Sequence, residues 1–114
     1  ALAAPLVRGD GLRELVYPGR IVPGPEAVAL GLATRVSSAP LEEARHLARQ
    51  IAASSPHAMR ASKRLMQLSE TASPQDILLA EAREQQALLG SANQAEAVHA
   101  GLEKRAPVFS DQGL

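Results

Sequence analysis

The sequence predicts a mainly α-helical chain carrying one short β segment. Serine-to-proline steps recur at Ser38-Ala39-Pro40, Ser55-Pro56 and Ser73-Pro74. A hydroxyl at the N-cap accepts an otherwise orphaned backbone N–H, and a proline in the first helical turn forfeits no hydrogen bond. Aromatic residues make up only 2% of the 114 residues, with one Phe, one Tyr and no Trp. Ala, Leu and Val must therefore fill the interior, and such small side chains favour close helix packing.

Each element follows from its own punctuation. Asp10 is placed to cap a short helix from Gly11 to Tyr17, which Pro18-Gly19 breaks. Arg20 to Val22 reads as extended and is interrupted by Pro23-Gly24-Pro25. A second short helix runs through Glu26–Leu30 and ends at Gly31. Ala33-Thr34-Arg35-Val36 has the β-branched character of a strand. A strand needs a neighbour for its N–H and C=O groups, and no second strand is predicted. Either its partner lies outside these residues or the segment is not a strand.

From Pro40 onward the pattern is regular. Leu41, Ala44, Leu47, Ala48 and Ile51 form one apolar stripe, with Glu42, Glu43, Arg45, His46 and Arg49 outside it. Met59, Ser62, Leu65 and Met66 form a weaker stripe. Ile77, Leu78, Leu88 and Leu89 mark the ends of a third helix closed by Gly90, and Ala95, Val98 and Leu102 line a fourth that Pro107 stops. Ser73 with Asp76 and Ser91 with Gln94 have the spacing of a capping box.

Composition excludes several functions. Twelve basic residues balance twelve acidic ones, whereas a protein that neutralises nucleic-acid phosphates shows a basic excess. The absence of cysteine removes disulfides, thiolate metal ligands and cysteine nucleophiles. No apolar run approaches the roughly 18–20 residues that cross a bilayer. Ala1-Leu2-Ala3-Ala4-Pro5 lacks the positive flank of a secretory leader, so a reducing, cytoplasmic setting is expected.

Few residues offer chemistry by themselves. His46, His57 and His99 show no chelating spacing and stand near no paired carboxylates, so no metal site is expected. Glu42-Glu43 and the pair Glu81 and Glu84 could serve as acid and base only within a cleft. Negative charge early in a helix is already accounted for by the helix dipole. Arg60, Lys63 and Arg64 share one helical face and could meet a phosphate, although a charged face is more often simply solvated. No Gly-x-Gly-x-x-Gly or Walker pattern is present.

Three blocks in one order carry a resemblance. The first is Tyr17-Pro18-Gly19-Arg20 followed by Glu26-Ala27 and Leu30-Gly31-Leu32-Ala33-x-Arg35-Val36. The second is Ser55-Pro56-x-Ala58-x-Arg60-x-x-Lys63-Arg64, and the third is Glu103-Lys104-Arg105-x-Pro107-x-Phe109. Together, over nearly the whole chain, they resemble the C-terminal portion of the crotonase (enoyl-CoA hydratase/isomerase) superfamily. The resemblance implies the C-terminal helical segment of a ββα-spiral fold, with the catalytic sheet core missing. Residues 1–37 would close the core and 38–114 would form the helical, oligomerisation segment.

The resemblance also sets functional expectations. The parent enzyme would act on acyl-CoA thioesters of fatty-acid metabolism as a lyase or isomerase. An oxyanion hole would stabilise a thioester enolate and carboxylates would move protons. Those groups would lie upstream, so no catalytic residue, metal or cofactor is assigned here, coenzyme A entering as part of the substrate. A homotrimer or hexamer is implied, with no nucleic-acid or membrane partner. Lys104 matches a family lysine that reaches the CoA nucleotide, a role suited to an ammonium on a flexible stem. A cation near a helix C-terminus is also favoured by the dipole alone. Gly101 stands where many relatives carry a Phe near the adenine, Pro23 replaces a common Ser cap, and Pro18 a common Thr. The alternative is a non-catalytic helical interaction module derived from a crotonase.

Overall fold

The computed structural model describes Ala3 and residues 5–111. The leader reading of Ala1–Pro5 therefore falls partly outside the described residues. Six helices occur among them and no strand: α1 (Gly9–Val16), α2 (Gly24–Ala29), α3 (Pro40–Ala52), α4 (Pro56–Ser69), α5 (Pro74–Leu88) and α6 (Ala92–Glu103). The chain divides into two compact units, Ala1–Ala44 and Arg45–Leu114.

In the first unit, α1 begins two residues earlier than expected. Asp10 is inside the helix, where its carboxylate accepts from the Gly11 N–H at 2.9 Å and pairs with Arg8. Helix α2 starts at Gly24 with Pro25 in its first turn and closes in a left-handed turn at Gly31. There the Leu32 N–H reaches the Ala27 carbonyl at 2.8 Å and the Gly31 N–H reaches Val28 at 3.1 Å. The expected strand at Ala33–Val36 does not form. The Ala33 N–H also returns to the Ala27 carbonyl, at 3.2 Å, which bends the chain where a strand would need to run straight. Val36 instead lies over the start of α2, against Gly24.

Capping follows the sequence with local corrections. Ser55, Ser73 and Ser91 each accept from a backbone N–H three residues on, those of Ala58, Asp76 and Gln94. The start of α3 uses Ser37 rather than Ser38. The Ser37 hydroxyl accepts from the Ala39 N–H at 3.0 Å and donates to Glu43 at 2.8 Å. The capping-box partners also act differently. Asp76 accepts from the Ser73 hydroxyl at 2.6 Å, and the Gln94 side chain accepts from the Gly90 N–H at 3.0 Å.

In the second unit α4 packs on α5, and the Arg64 guanidinium grips Glu84 of α5 with two bonds of 2.6 and 2.7 Å. The apolar stripes read from the sequence are not the buried faces. On α4 the buried positions are His57 and Ala61, while Met59 and Met66 are exposed; on α6 they are Asn93 and Ala100, while Val98 and Leu102 are exposed. Leu41, Leu47 and Ile51 of α3 are exposed as well. Large side chains dominate a periodicity reading, but small ones let these helices approach.

Gly31 has φ +82°, and a Cβ there would stand 2.9 Å from the Leu6 carbonyl oxygen. A left-handed conformation costs a β-carbon residue about 1–2 kcal/mol, and the carbonyl is backbone that cannot step aside. Gly31→Ala is expected to lower the unfolding free energy by about 2 kcal/mol or more in urea titration. A loss within the spread of ordinary surface substitutions would show that this turn does not hold the unit.

Candidate functional site at the end of helix α6

Helix α6 ends at Lys104, whose φ of 54° and ψ of 37° are left-handed. The Arg105 N–H reaches back to the Ala100 carbonyl at 3.0 Å and the Lys104 N–H to Gly101 at 3.3 Å. This turn usually carries glycine, because a β-carbon is strained there. The helix therefore stops one turn before Pro107, which sequence reasoning had made the breaker. Lys104 is exposed and makes no ion pair among the described residues. A Cβ at Gly101 would meet nothing within 4 Å.

Arg105 is used differently. Its guanidinium donates to both carboxylate oxygens of Glu96, at 2.5 and 3.0 Å, and to Glu103 at 2.6 Å. Glu96 also accepts the Val108 N–H at 2.7 Å. The Arg105 fork, followed by that backbone N–H, holds the Glu96 carboxyl down at about 2. Residues 106–111 then run back along α6. The Ser110 N–H donates to Asn93 Oδ1 at 2.9 Å, and Asn93 Nδ2 donates to the Ser110 carbonyl at 2.7 Å. Arg60 of α4 closes on Asp111 at 2.6 Å.

The other sequence candidates are not brought together. Of the cationic trio on α4, Arg60 is engaged by Asp111 and Arg64 by Glu84, so two of its charges are already matched. Glu42, Glu43 and Glu81 are exposed. Glu84 is half-buried, but its pairing with Arg64 holds its carboxyl below the usual range. That is the wrong direction for a neutral-pH general base. His46 and His99 are exposed and His57 is buried, and no three potential metal ligands converge among the described residues. A cleft of about 440 Å³ between α1 and α2 is lined by Leu6, Val7 and Leu30, with Arg8, Asp10 and Glu14 at exposed positions along it.

Sequence reasoning missed the bond between His57 and Asn93, whose Nδ1 and Nδ2 lie 3.0 Å apart. One signal was available. Each stands two residues after a capping serine, Ser55 and Ser91, so both sit in the first turn of their helices.

No family model matches the sequence and no curated protein does. Solved structures do. An enoyl-CoA hydratase from Bacillus anthracis matches with a TM-score of 0.87 at 26% identity, covering 97% of this chain and 43% of its own. Enoyl-CoA hydratases from Mycobacterium tuberculosis H37Rv and Polaromonas sp. JS666 match with TM-scores of 0.84 and 0.83, each at 26% identity. They cover 97% and 94% of this chain and 45% and 42% of their own. The chain is similar to the C-terminal portion of crotonase (enoyl-CoA hydratase/isomerase) structures. It spans less than half the length of these crotonases, and its six helices correspond to the fold's C-terminal helical segment. No helix of the described residues is long and apolar enough to cross a membrane.

The Glu96–Arg105 pair has a defined acid signature. Glu96 is held at about 2 against an ordinary 4.5, so its contribution to stability is complete above about pH 4.5 and fades as pH falls toward 2. The Val108 amide resonance is expected to report a midpoint at about 2. Arg105→Gln should move that midpoint up toward the usual carboxylate range. An unmoved midpoint would assign the effect to the Val108 N–H instead.

Proposed function

We propose that the intact protein is an enoyl-CoA hydratase/isomerase-type enzyme acting on acyl-CoA thioesters. Residues 1–37 would close its catalytic core, and 38–114 would form the helical segment through which subunits assemble. The observation that supports this most is the likeness of the chain to solved enoyl-CoA hydratases over 94–97% of its length. The exposed Leu41, Ile51, Met66 and Leu102 fit a segment whose large apolar side chains lean on further protein. A trimer or hexamer, and a cytoplasmic setting, belong to the same reading.

The reaction class is enolate chemistry, in which preorganised donors stabilise the thioester oxyanion and carboxylates transfer protons. No step of it is assigned to residues of this chain. Their part is binding, and Lys104 is the residue proposed for it. Arg105 beside it is locked by two carboxylates, whereas the Lys104 ammonium is exposed at a strained turn. Strain retained where glycine would fit better supports a role for the side chain. An ammonium can follow a CoA phosphate without fixed geometry.

Replacing Lys104 separates strain from binding. In the intact enzyme, Lys104→Ala is expected to raise KM for a short-chain enoyl-CoA about fivefold with kcat little changed. Lys104→Gly should weaken CoA binding equally while raising the melting temperature, since the left-handed turn is then relaxed. Unchanged KM in both variants removes Lys104 from the nucleotide site. Failure of the unaltered protein to bind or turn over any member of a broad acyl-CoA panel overturns the functional reading as a whole.

A further inference from the structure

We propose that Arg105 is a positioning residue for coenzyme A binding. By engaging Glu96 and Glu103 together, it fixes the turn that carries Lys104 and leaves the Lys104 ammonium free for a nucleotide phosphate. This rests on the reading of Lys104 given above and adds to it a residue that does not touch the ligand.

Every side-chain nitrogen of Arg105 is engaged. Nη1 and Nη2 donate to the two oxygens of Glu96 at 2.5 and 3.0 Å, and Nε donates to Glu103 at 2.6 Å. Nη1 also reaches the Ala106 carbonyl at 3.2 Å. Glu96 stands about two turns back along α6, and its Oε1 accepts the Val108 N–H as well, at 2.7 Å. One carboxylate therefore anchors the chain beyond Lys104 at both Arg105 and Val108, with Pro107 and its fixed φ between them. Lys104 itself is left-handed at φ 54°, a conformation that a β-carbon resists. Its ammonium makes no ion pair among the described residues. The strained turn is thus held from the next residue and not by the lysine side chain.

Charge makes the same division of labour. Two carboxylates, Glu96 and Glu103, meet the turn that carries Lys104. Were either left unmatched, the flexible lysine would be drawn to it, and a phosphate would have to displace that pair. A planar guanidinium spans both carboxylates at once, which a single ammonium cannot do. Arg105 therefore removes both competitors and leaves Lys104 as the exposed cation of the turn. Glu96, held at about 2, is fully ionised at neutral pH, so the fork is complete where an enzyme of this kind would work.

The test measures kcat and KM of the intact enzyme for a short-chain enoyl-CoA and for the matching pantetheine thioester, which lacks the nucleotide. Arg105→Lys keeps the charge and loses the fork. It is expected to raise KM for the CoA thioester about threefold with kcat little changed, and to leave KM for the pantetheine thioester unmoved. In a Lys104→Ala background the same change should add nothing, because Arg105 acts through Lys104. Glu96→Gln breaks the fork from its other half and should reproduce the pattern, which decides the matter if Arg105→Lys does not fold. An equal rise for both thioesters, or rises at 104 and 105 that multiply in the double variant, makes Arg105 merely structural and overturns the assignment. So does an unmoved KM in Arg105→Lys when Lys104→Ala raises it. An unmoved KM in Lys104→Ala is a separate failure: it removes Lys104 from the nucleotide site, and the role of Arg105 falls with it.

Discussion

Ala61 and Ala100 are the best-buried apolar residues of the second unit, and both are alanines. Helices that bury alanine sit close together, but each such position removes little apolar surface from water. On the same helices Met66 is 70% exposed and Leu102 78% exposed. The small face is turned inward and the large face outward. That division governs the rest of the structure, since a core of small side chains cannot by itself fix one helix against the next.

Polar ties supply the missing definition. Arg64 joins α4 to α5 through Glu84, Arg105 folds the end of α6 onto Glu96, and Arg60 closes on Asp111. Exposed ion pairs of this kind are individually weak. Their value lies in geometry, because a two-pronged guanidinium accepts one orientation of its carboxylate. Asn93 is the exception in being buried. It pairs with the Ser110 backbone in both directions, as a strand neighbour would, and so sets the register of the tail on α6.

Much of the fold was legible because it is written in caps. Serines 55, 73 and 91 act as read, and Gly31 and Gly90 close their helices with positive φ. The resemblance to crotonase structures was legible too, carried by three blocks whose order mattered more than any one of them. The buried faces were not. Periodicity weighs large apolar residues most, and in these helices those residues face outward. The strand at Ala33–Val36 failed for a related reason. Thr34 and Val36 have the β-branched shape of a strand, yet the Ala33 N–H was already engaged in closing α2. The His57–Asn93 bond joins residues 36 apart in the sequence, and nothing local records a partner at that distance.

Lys104 and Arg105 show how adjacent residues of equal charge are divided by backbone geometry. The left-handed turn at Lys104 redirects the chain so that Arg105 swings back over α6, within reach of Glu96 and Glu103. A right-handed residue there would continue the helix and carry Arg105 away from both. The turn is thus needed whatever occupies it, and glycine would make it with less strain. Folding accounts for the conformation, and the helix dipole favours a cation at this end without requiring a lysine. What the lysine adds is an unpaired ammonium, held on a rigid helix end by the same network that consumes the neighbouring arginine. Stability would be served by a residue without a side chain, and that contrast is what singles out Lys104 in the functional proposal.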